Sequence, residues 1–382
     1  MNFEISNENR LVADTVRRFI KERLAPLEAG IDAADEIDPA VIRALKQEVI
    51  ELGLFGYNMP AALGGPELSV ATQCLIDEAL GHTTMALAEA FGHLPGSLRA
   101  ASAEQREWLV KPLMQAQTTI AYALTEPAAG SDLSAVATRA DQVPGGWRLN
   151  GTKHFISAAE HADYLIVLAV TDKLAPLKSR FTTFVIERNN PGWKTLRRFR
   201  KMGWHGHPLS ELALDDCFVA DTHVLGQPGQ GFLTMMATIN NDRLMVASKC
   251  VGIAQALTDL ALPHVRQRKT FGSALSEHQA IQFMLADNDV ELDAARLLTQ
   301  KAAYLADQGN VEFRIAASRA KLYASEMAGR VADNVMQIFG GAGYMADLPV
   351  ERFYRDVRAF RIGEGTSEMQ RLQIARHIIL NA

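Results

Sequence analysis

The sequence predicts an α+β multidomain protein with a helical N-terminal domain over residues 1–117, a middle β-barrel-like domain over 118–225 and a C-terminal four-helix bundle over 226–382. Three observations carry this reading. Apolar residues recur at spacings of three and four up to about Gln117. Short β-rich runs bounded by turn residues then take over as far as Leu225. After Gly229-Gln230-Gly231 the helical period returns and persists. A chain of 382 residues, 48% hydrophobic and 22% charged, is long enough to divide into two or three cores.

In the first segment Leu11, Val12, Val16, Phe19 and Ile20 recur as one buried helical face requires. Residues 60–66, with Gly64-Gly65 inside, interrupt the period as a loop, and 71–80 resumes helix. In the middle segment 147–149, 153–156, 164–170 and 181–186 read as strands, and 211–215 alternates polar and apolar as a half-exposed strand does. Asn150-Gly151, between the first two runs, predicts a tight hairpin because the pair readily takes positive φ. In the last segment Ile281, Met284, Leu285, Leu292 and Ala295 form one stripe, and Ala324, Met327, Val331, Val335 and Ile338 a second. Their spacing predicts four long antiparallel helices between Phe232 and Leu380.

Charge and composition exclude several functions. A net charge of -5 and a pI near 6.1 leave no basic field for a nucleic-acid partner. Cys74, Cys217 and Cys250 form no C-x-x-C unit, which argues against a disulfide framework or zinc ribbon and predicts reduced, cytoplasmic thiols. Glu4, Glu8 and Arg10 stand where a signal peptide would be basic and then apolar. No apolar run reaches the ~18 residues of a membrane span, so no membrane partner is expected. His205-Gly206-His207 has no carboxylate or cysteine at a recognised ligand spacing, and we assign no metal. Gly341-Ala342-Gly343-Tyr344-Met345-Ala346 fits a loose dinucleotide-binding string but follows a predicted helix, so the strand–turn–helix context for NAD is missing.

Two distant stretches carry the chemistry. Tyr122-Ala123-Leu124-Thr125-Glu126-Pro127-Ala128-Ala129-Gly130-Ser131-Asp132 is a turn-rich polar loop able to wrap a planar cofactor. Gly363-Glu364-Gly365-Thr366-Ser367-Glu368 sets one carboxylate between glycines that permit close approach. Taken locally, Glu364 is either a general base among uncharged neighbours or a helix-start carboxylate, since Thr366 and Ser367 can cap the run 369–379. Glu368 falls inside that first turn as a partner of the helix dipole. The 122–132 loop alone reads equally as a self-satisfied turn, and Arg266, Arg268 and Lys269 as a solvated helix end.

With Asn150-Gly151-Thr152-Lys153, Lys201-Met202-Gly203-Trp204, Arg268-Lys269-Thr270-Phe271-Gly272, Gln279 and Gln337-Ile338-Phe339-Gly340-Gly341 in order, the chain resembles the acyl-CoA dehydrogenase family over nearly its whole length. The resemblance implies FAD and the α,β-dehydrogenation of an acyl-CoA thioester to the trans-2-enoyl-CoA in fatty-acid metabolism, with Glu364 as α-proton base and flavin N5 as hydride acceptor. It implies that Tyr122, Leu124, Thr125, Phe155 and Ser157 line the flavin and that Thr366 and Glu368 also contact the cofactor. Arg268, Thr270, Phe271, Gln279, Gln337, Gly340 and Gly341 would contact the adenosine-pyrophosphate half across a subunit interface. Ser131, Arg243, Gly363 and Gly365 would lie along the acyl-CoA or acyl-pantetheine substrate.

Phe155 and Ser157 stand where relatives often have Trp and Thr, His205 where they often have Arg, and Asn240 where some have Asp. Gly363 replaces a common Tyr, which predicts either a cavity for a branched, cyclic or bulky acyl group or another side chain filling the space. The implied partners are an electron-transfer flavoprotein as acceptor and three further copies in a homotetramer. A flavin-dependent monooxygenase or oxidase on the same fold and a non-catalytic acyl-CoA-binding paralogue are the rival readings. Glu364 counts against the first, and the intact motifs against the second.

Overall fold

Side-chain caps start the helices that open at Asn7, Pro39 and Val70 in the computed structural model, which describes residues 6–381, so that Glu4 lies outside the described residues. Ser6 accepts from Asn9 N at 3.2 Å to open α1 (Asn7–Phe19). After α2 (Glu28–Ala34), Asp38 accepts from Ala40 N at 2.7 Å to open α3 (Pro39–Glu51), and Ser69 caps α4 (Val70–Leu80). Three short helices follow, α5 (Met85–Ala88), α6 (Ala103–Gln105) and α7 (Lys111–Met114). Val16, Phe19 and Ile20 are buried against Phe55, Tyr57, Leu87 and Phe91, but Leu11 is 68% exposed. The predicted face was too wide: five residues at about 100° each carry Leu11 roughly 140° round from Val16.

The middle domain is one eight-stranded sheet of β1 (Ile120–Ala123), β2 (Arg139–Val143), β3 (Gly146–Ser157), β4 (Tyr164–Val170), β5 (Phe181–Glu187), β6 (Trp193–Arg198), β7 (Leu209–Ala220) and β8 (Val224–Leu225). The order is β6-β7-β3-β2-β4-β5-β8, with β1 parallel to β4. Asn150-Gly151 is not a hairpin turn. β3 runs straight through it, and the chain reverses instead at Pro144-Gly145, where Gly145 has φ +79°. The pair sits in a bulge opposite β7, where Asn150 Oδ1 accepts from Asp216 N at 2.9 Å. A Cβ on Gly151 would lie 2.3 Å from Thr138 Oγ1, so glycine here permits close approach. Pairing of β3 with both β2 and β7 outweighs the local turn preference.

The C-terminal domain contains α8 (Gly231–Gln267), a small hairpin of β9 (Lys269–Thr270) and β10 (Ser273–Ala274), α9 (Gln279–Asp307), α10 (Phe313–Phe339), α11 (Val350–Phe360) and α12 (Ser367–Leu380). It has three long helices and two short ones, where four long ones were predicted. Gly340, at φ +59°, ends α10 and the 363–365 turn separates α11 from α12. Ala324, Met327, Val331, Val335 and Ile338 are all buried as the stripe predicted. Among the described residues α8 alone is long and apolar enough to cross a membrane, but 72% of that window is buried inside the protein, as expected of a helix packed on several sides.

Segment 201–207 joins the three domains. Lys201 Nζ lies 3.0 Å from Asp35 Oδ1, Trp204 N donates to Asp356 Oδ1 at 2.6 Å, and the His205 ring packs Nδ1 2.8 Å from Asp32 O. Burial pushes the Asp356 carboxyl up to about 6 despite the Trp204 N–H and two nearby arginines. This docking ties the segment between β6 and β7 to α2 and to α11.

Candidate active site

Glu364 occupies a left-handed backbone conformation, φ +52°, followed by Gly365 at φ +85°. A non-glycine residue held there is uncommon and costs free energy, so the surrounding structure has to impose it. Lys321 Nζ donates to Gly365 O at 2.7 Å, Gln370 Nε2 donates to the same oxygen at 2.9 Å, and Ser367 N reaches Arg361 O at 3.1 Å. Thr366 Oγ1 accepts from Met369 N at 3.3 Å and caps α12. The helix-start role therefore belongs to Thr366, which leaves the Glu364 carboxylate free of it. Glu368 is in the first turn, 80% exposed and 3.7 Å from Arg371, apart from the cluster around Glu364.

The Glu364 side chain is exposed on one side and has protein close behind it on the other. Burial, then the like charge of Asp242, push it up to about 7 against the pull of Lys321, His93 and Arg243. Buried Arg243 donates from Nη1 to Asn240 Oδ1 and Gln373 Oε1, both at 2.9 Å, while its buried Nε has no partner among the described residues. A Cβ on Gly365 would come within 3.9 Å of Arg243 Nη2 and 2.8 Å of Gln370 Nε2. At Gly363 a Cβ would meet only Ala359 O at 3.6 Å, so backbone packing does not require glycine there. Burial raises the Tyr122 phenol well above its ordinary range, with smaller contributions from Asp242 and Glu364, which brings the end of β1 to the same place.

The loop after β1 is anchored from inside the sheet. Lys153, fully buried, donates to Leu124 O at 3.1 Å, Leu168 O at 2.8 Å and Glu126 Oε1 at 2.8 Å, and Glu126 also accepts from Ala137 N at 2.7 Å. Thr125 O accepts from His154 N at 2.8 Å. A second bulge in β3, between Lys153 and Ile156, gives Phe155 φ +58° and turns its ring out, 53% exposed, beside His154 and Phe199 at 4.0 and 4.9 Å. Tyr122, Leu124, Thr125 and Phe155 thus share one edge, with Ser157 at the end of β3. An open aromatic face beside fixed backbone groups fits a planar ring system. Ser131 lies exposed in the turn beyond.

A second cluster forms at the far end of α10. Arg268 ends α8, Thr270 Oγ1 lies 3.2 Å from His278 Nε2, Gln279 opens α9, and Gln337, Gly340 and Gly341 end α10. Nothing lies within 4 Å of a Cβ at Gly340 or Gly341, and Phe271 is wholly exposed with φ +50°. Arg268 has no carboxylate partner among the described residues. Open backbone and an unpaired guanidinium fit a pyrophosphate. Lys321 and Gln337 lie on one helix, about 24 Å apart at ~1.5 Å per residue, so the two clusters are separate places on one chain.

Acyl-CoA dehydrogenase family domains match almost end to end: the N-terminal domain over residues 6–117, the middle domain over 121–217 and the C-terminal domain over 229–379. The chain belongs to the acyl-CoA dehydrogenase family. It is 37% identical to the benzylmalonyl-CoA dehydrogenase of Aromatoleum aromaticum, covering 99% of this chain and 100% of that one. Among solved structures it resembles the butyryl-CoA dehydrogenase of Megasphaera elsdenii, at 32% identity, TM-score 0.91 and coverage of 99% and 100%. It also resembles PigA with FAD and proline, at 26% identity, TM-score 0.93 and full coverage of both chains. As a family member it is an FAD-dependent oxidoreductase.

Sequence reasoning missed several members of the site. Lys321 had a signal, a lone charge on the buried stripe between Ala317 and Ala324. Lys153 appeared only within a motif, and nothing local marks it as buried. His93 and Asp242 gave no signal, because only the fold sets them 3.2 Å apart near Glu364.

Proposed function

We propose that the enzyme dehydrogenates an acyl-CoA thioester between its α and β carbons, to the trans-2-enoyl product, with Glu364 removing the α-proton. One observation carries this: a carboxylate held in a strained turn, lifted toward neutral basicity, in a recess shared with Tyr122 and Arg243. A base near the working pH combines a useful ionised fraction with real proton affinity. Bound FAD supplies the hydride acceptor. The protein positions the reactants: the Phe155 edge and the 122–125 backbone support the ring system, and Ser131, Arg243 and Gly365 border the thioester. Lys321 and Gln370 hold the base's turn.

The space left at Gly363 supports a branched, cyclic or otherwise bulky acyl group, in keeping with the benzylmalonyl-CoA relative. Arg268, Phe271 and Gly340 support an adenosine site completed by a second subunit, within a homotetramer. Electrons leave through an electron-transfer flavoprotein, and the enzyme works in the cytoplasm. The test of the base is Glu364→Gln. It should retain FAD and lose at least ~10²-fold in the rate of flavin reduction by substrate. An unchanged rate would remove Glu364 from this role.

A further inference from the structure

A cavity of about 380 Å³ opens beside the base, between α4, α8 and the start of α10. Asp242 and His93 line it and also act on Glu364, so the cavity begins at the reacting end of the site. Its walls mix apolar side chains, Val70, Leu244, Met245 and Phe313, with the charged Asp77, Asp242, Arg99 and Arg314, so the lining offers a chain both apolar contact and charged partners.

The acids and the arginines of this wall are not paired with one another. Asp242 Oδ1 lies 3.2 Å from His93 Nε2. Asp77 Oδ1 accepts from Tyr57 Oη at 2.5 Å and sits in the field of Lys249. Both lining acids therefore have partners within the protein. The lining arginines have no acidic partner among the described residues. Arg99 donates to Asn58 O at 2.8 Å, and neither Arg99 nor Arg314 has a carboxylate partner among the described residues. Both are exposed at the cavity mouth. The neighbouring Glu312 faces His377 instead, at 3.5 Å. Arg314 moreover lies in the first turn of α10, a 27-residue helix whose N-terminal dipole favours negative charge. An anion at this mouth would find guanidinium donors with no competing carboxylate.

We propose that the substrate's acyl group carries an anionic terminus, a carboxylate remote from the thioester, which Arg99 and Arg314 bind while Glu364 acts at the other end. This rests on the dehydrogenase reading above and names its substrate class. A phosphate of the thioester carrier has the same chemistry and is the competing source of the anion.

The test is anaerobic flavin reduction in the full-length, FAD-loaded enzyme, comparing glutaryl- and adipoyl-CoA with pentanoyl- and hexanoyl-CoA, each repeated as the phosphate-free pantetheine thioester. The acid-bearing chains should react at least about tenfold more efficiently on either carrier, as expected for a charge-assisted contact. Arg314→Gln, at an exposed position where folding is not at risk, should erase that preference, and Arg314→Lys should restore part of it. Equal or greater efficiency with the alkyl chains overturns the proposal. So does a Gln variant that slows CoA thioesters of both kinds alike and leaves pantetheine thioesters unaffected, which would assign the arginines to a carrier phosphate. If no thioester reduces a flavin that dithionite does reduce, the underlying reading of Glu364 fails as well.

Discussion

The rate of substrate-driven flavin reduction should fall on the acid side with an apparent midpoint near pH 7, because burial and Asp242 lift the Glu364 carboxyl from 4.5 to about 7. With that value the ionised fraction falls about tenfold between pH 8 and pH 6, whereas an unperturbed carboxyl would stay almost fully ionised throughout. Asp242→Asn removes the like charge and should move the acid limb to lower pH. The assay is anaerobic stopped-flow reduction at limiting substrate, with the same acyl-CoA at each pH. Stability gives an independent check on sign. The folded protein holds this proton to higher pH than the unfolded chain, so between 4.5 and about 7 it binds more protons, and this residue's contribution to stability falls as pH rises through that window. Melting temperatures of Glu364→Gln should therefore gain on wild type as the pH increases. A rate profile flat from about pH 6 to 8, with no relative gain in the variant's melting temperature, would refute the claim that the recess perturbs this carboxyl.

Three further outcomes test the scaffold. Lys153→Met leaves Glu126 charged and buried, and should cost about 3–5 kcal/mol in urea unfolding; a loss within error of zero would mean the pair is dispensable. Gly151→Ala drives a Cβ to 2.3 Å from Thr138 Oγ1 and should cost about 1–3 kcal/mol, read from the same denaturation curve. Arg268→Ala should lower the FAD content of the purified protein with little change in the unfolding midpoint of the apoprotein, and equal FAD occupancy would remove its phosphate role.

Much of this protein was legible in its sequence because the relevant signals are local. Strands 164–170 and 181–186 are continuous β-rich runs, and the α10 stripe from Ala324 to Ile338 keeps its period, so both were found almost to the residue. Local signals also misled. Asn150-Gly151 has the dihedral freedom of a turn, but two neighbouring strands pair across it, neither residue takes positive φ, and the glycine serves close approach to Thr138 instead. Leu11 is apolar and near the right spacing, yet it turns away from the core. At the site, Glu364, the 122–132 loop and the adenosine-side motifs stood out through residue type and order.

What the sequence by itself determined was the three-part architecture, the family, the cofactor class and a short set of chemical residues, because periodicity and motif order depend on near neighbours along the chain. The tertiary structure alone decided that the helix cap falls to Thr366 and leaves Glu364 free, that Lys153 is an internal anchor, and that Asp242, His93 and two arginines without a carboxylate partner among the described residues border one cavity. Those outcomes depend on desolvation and on charges brought together from distant segments, quantities that exist only after the chain has folded.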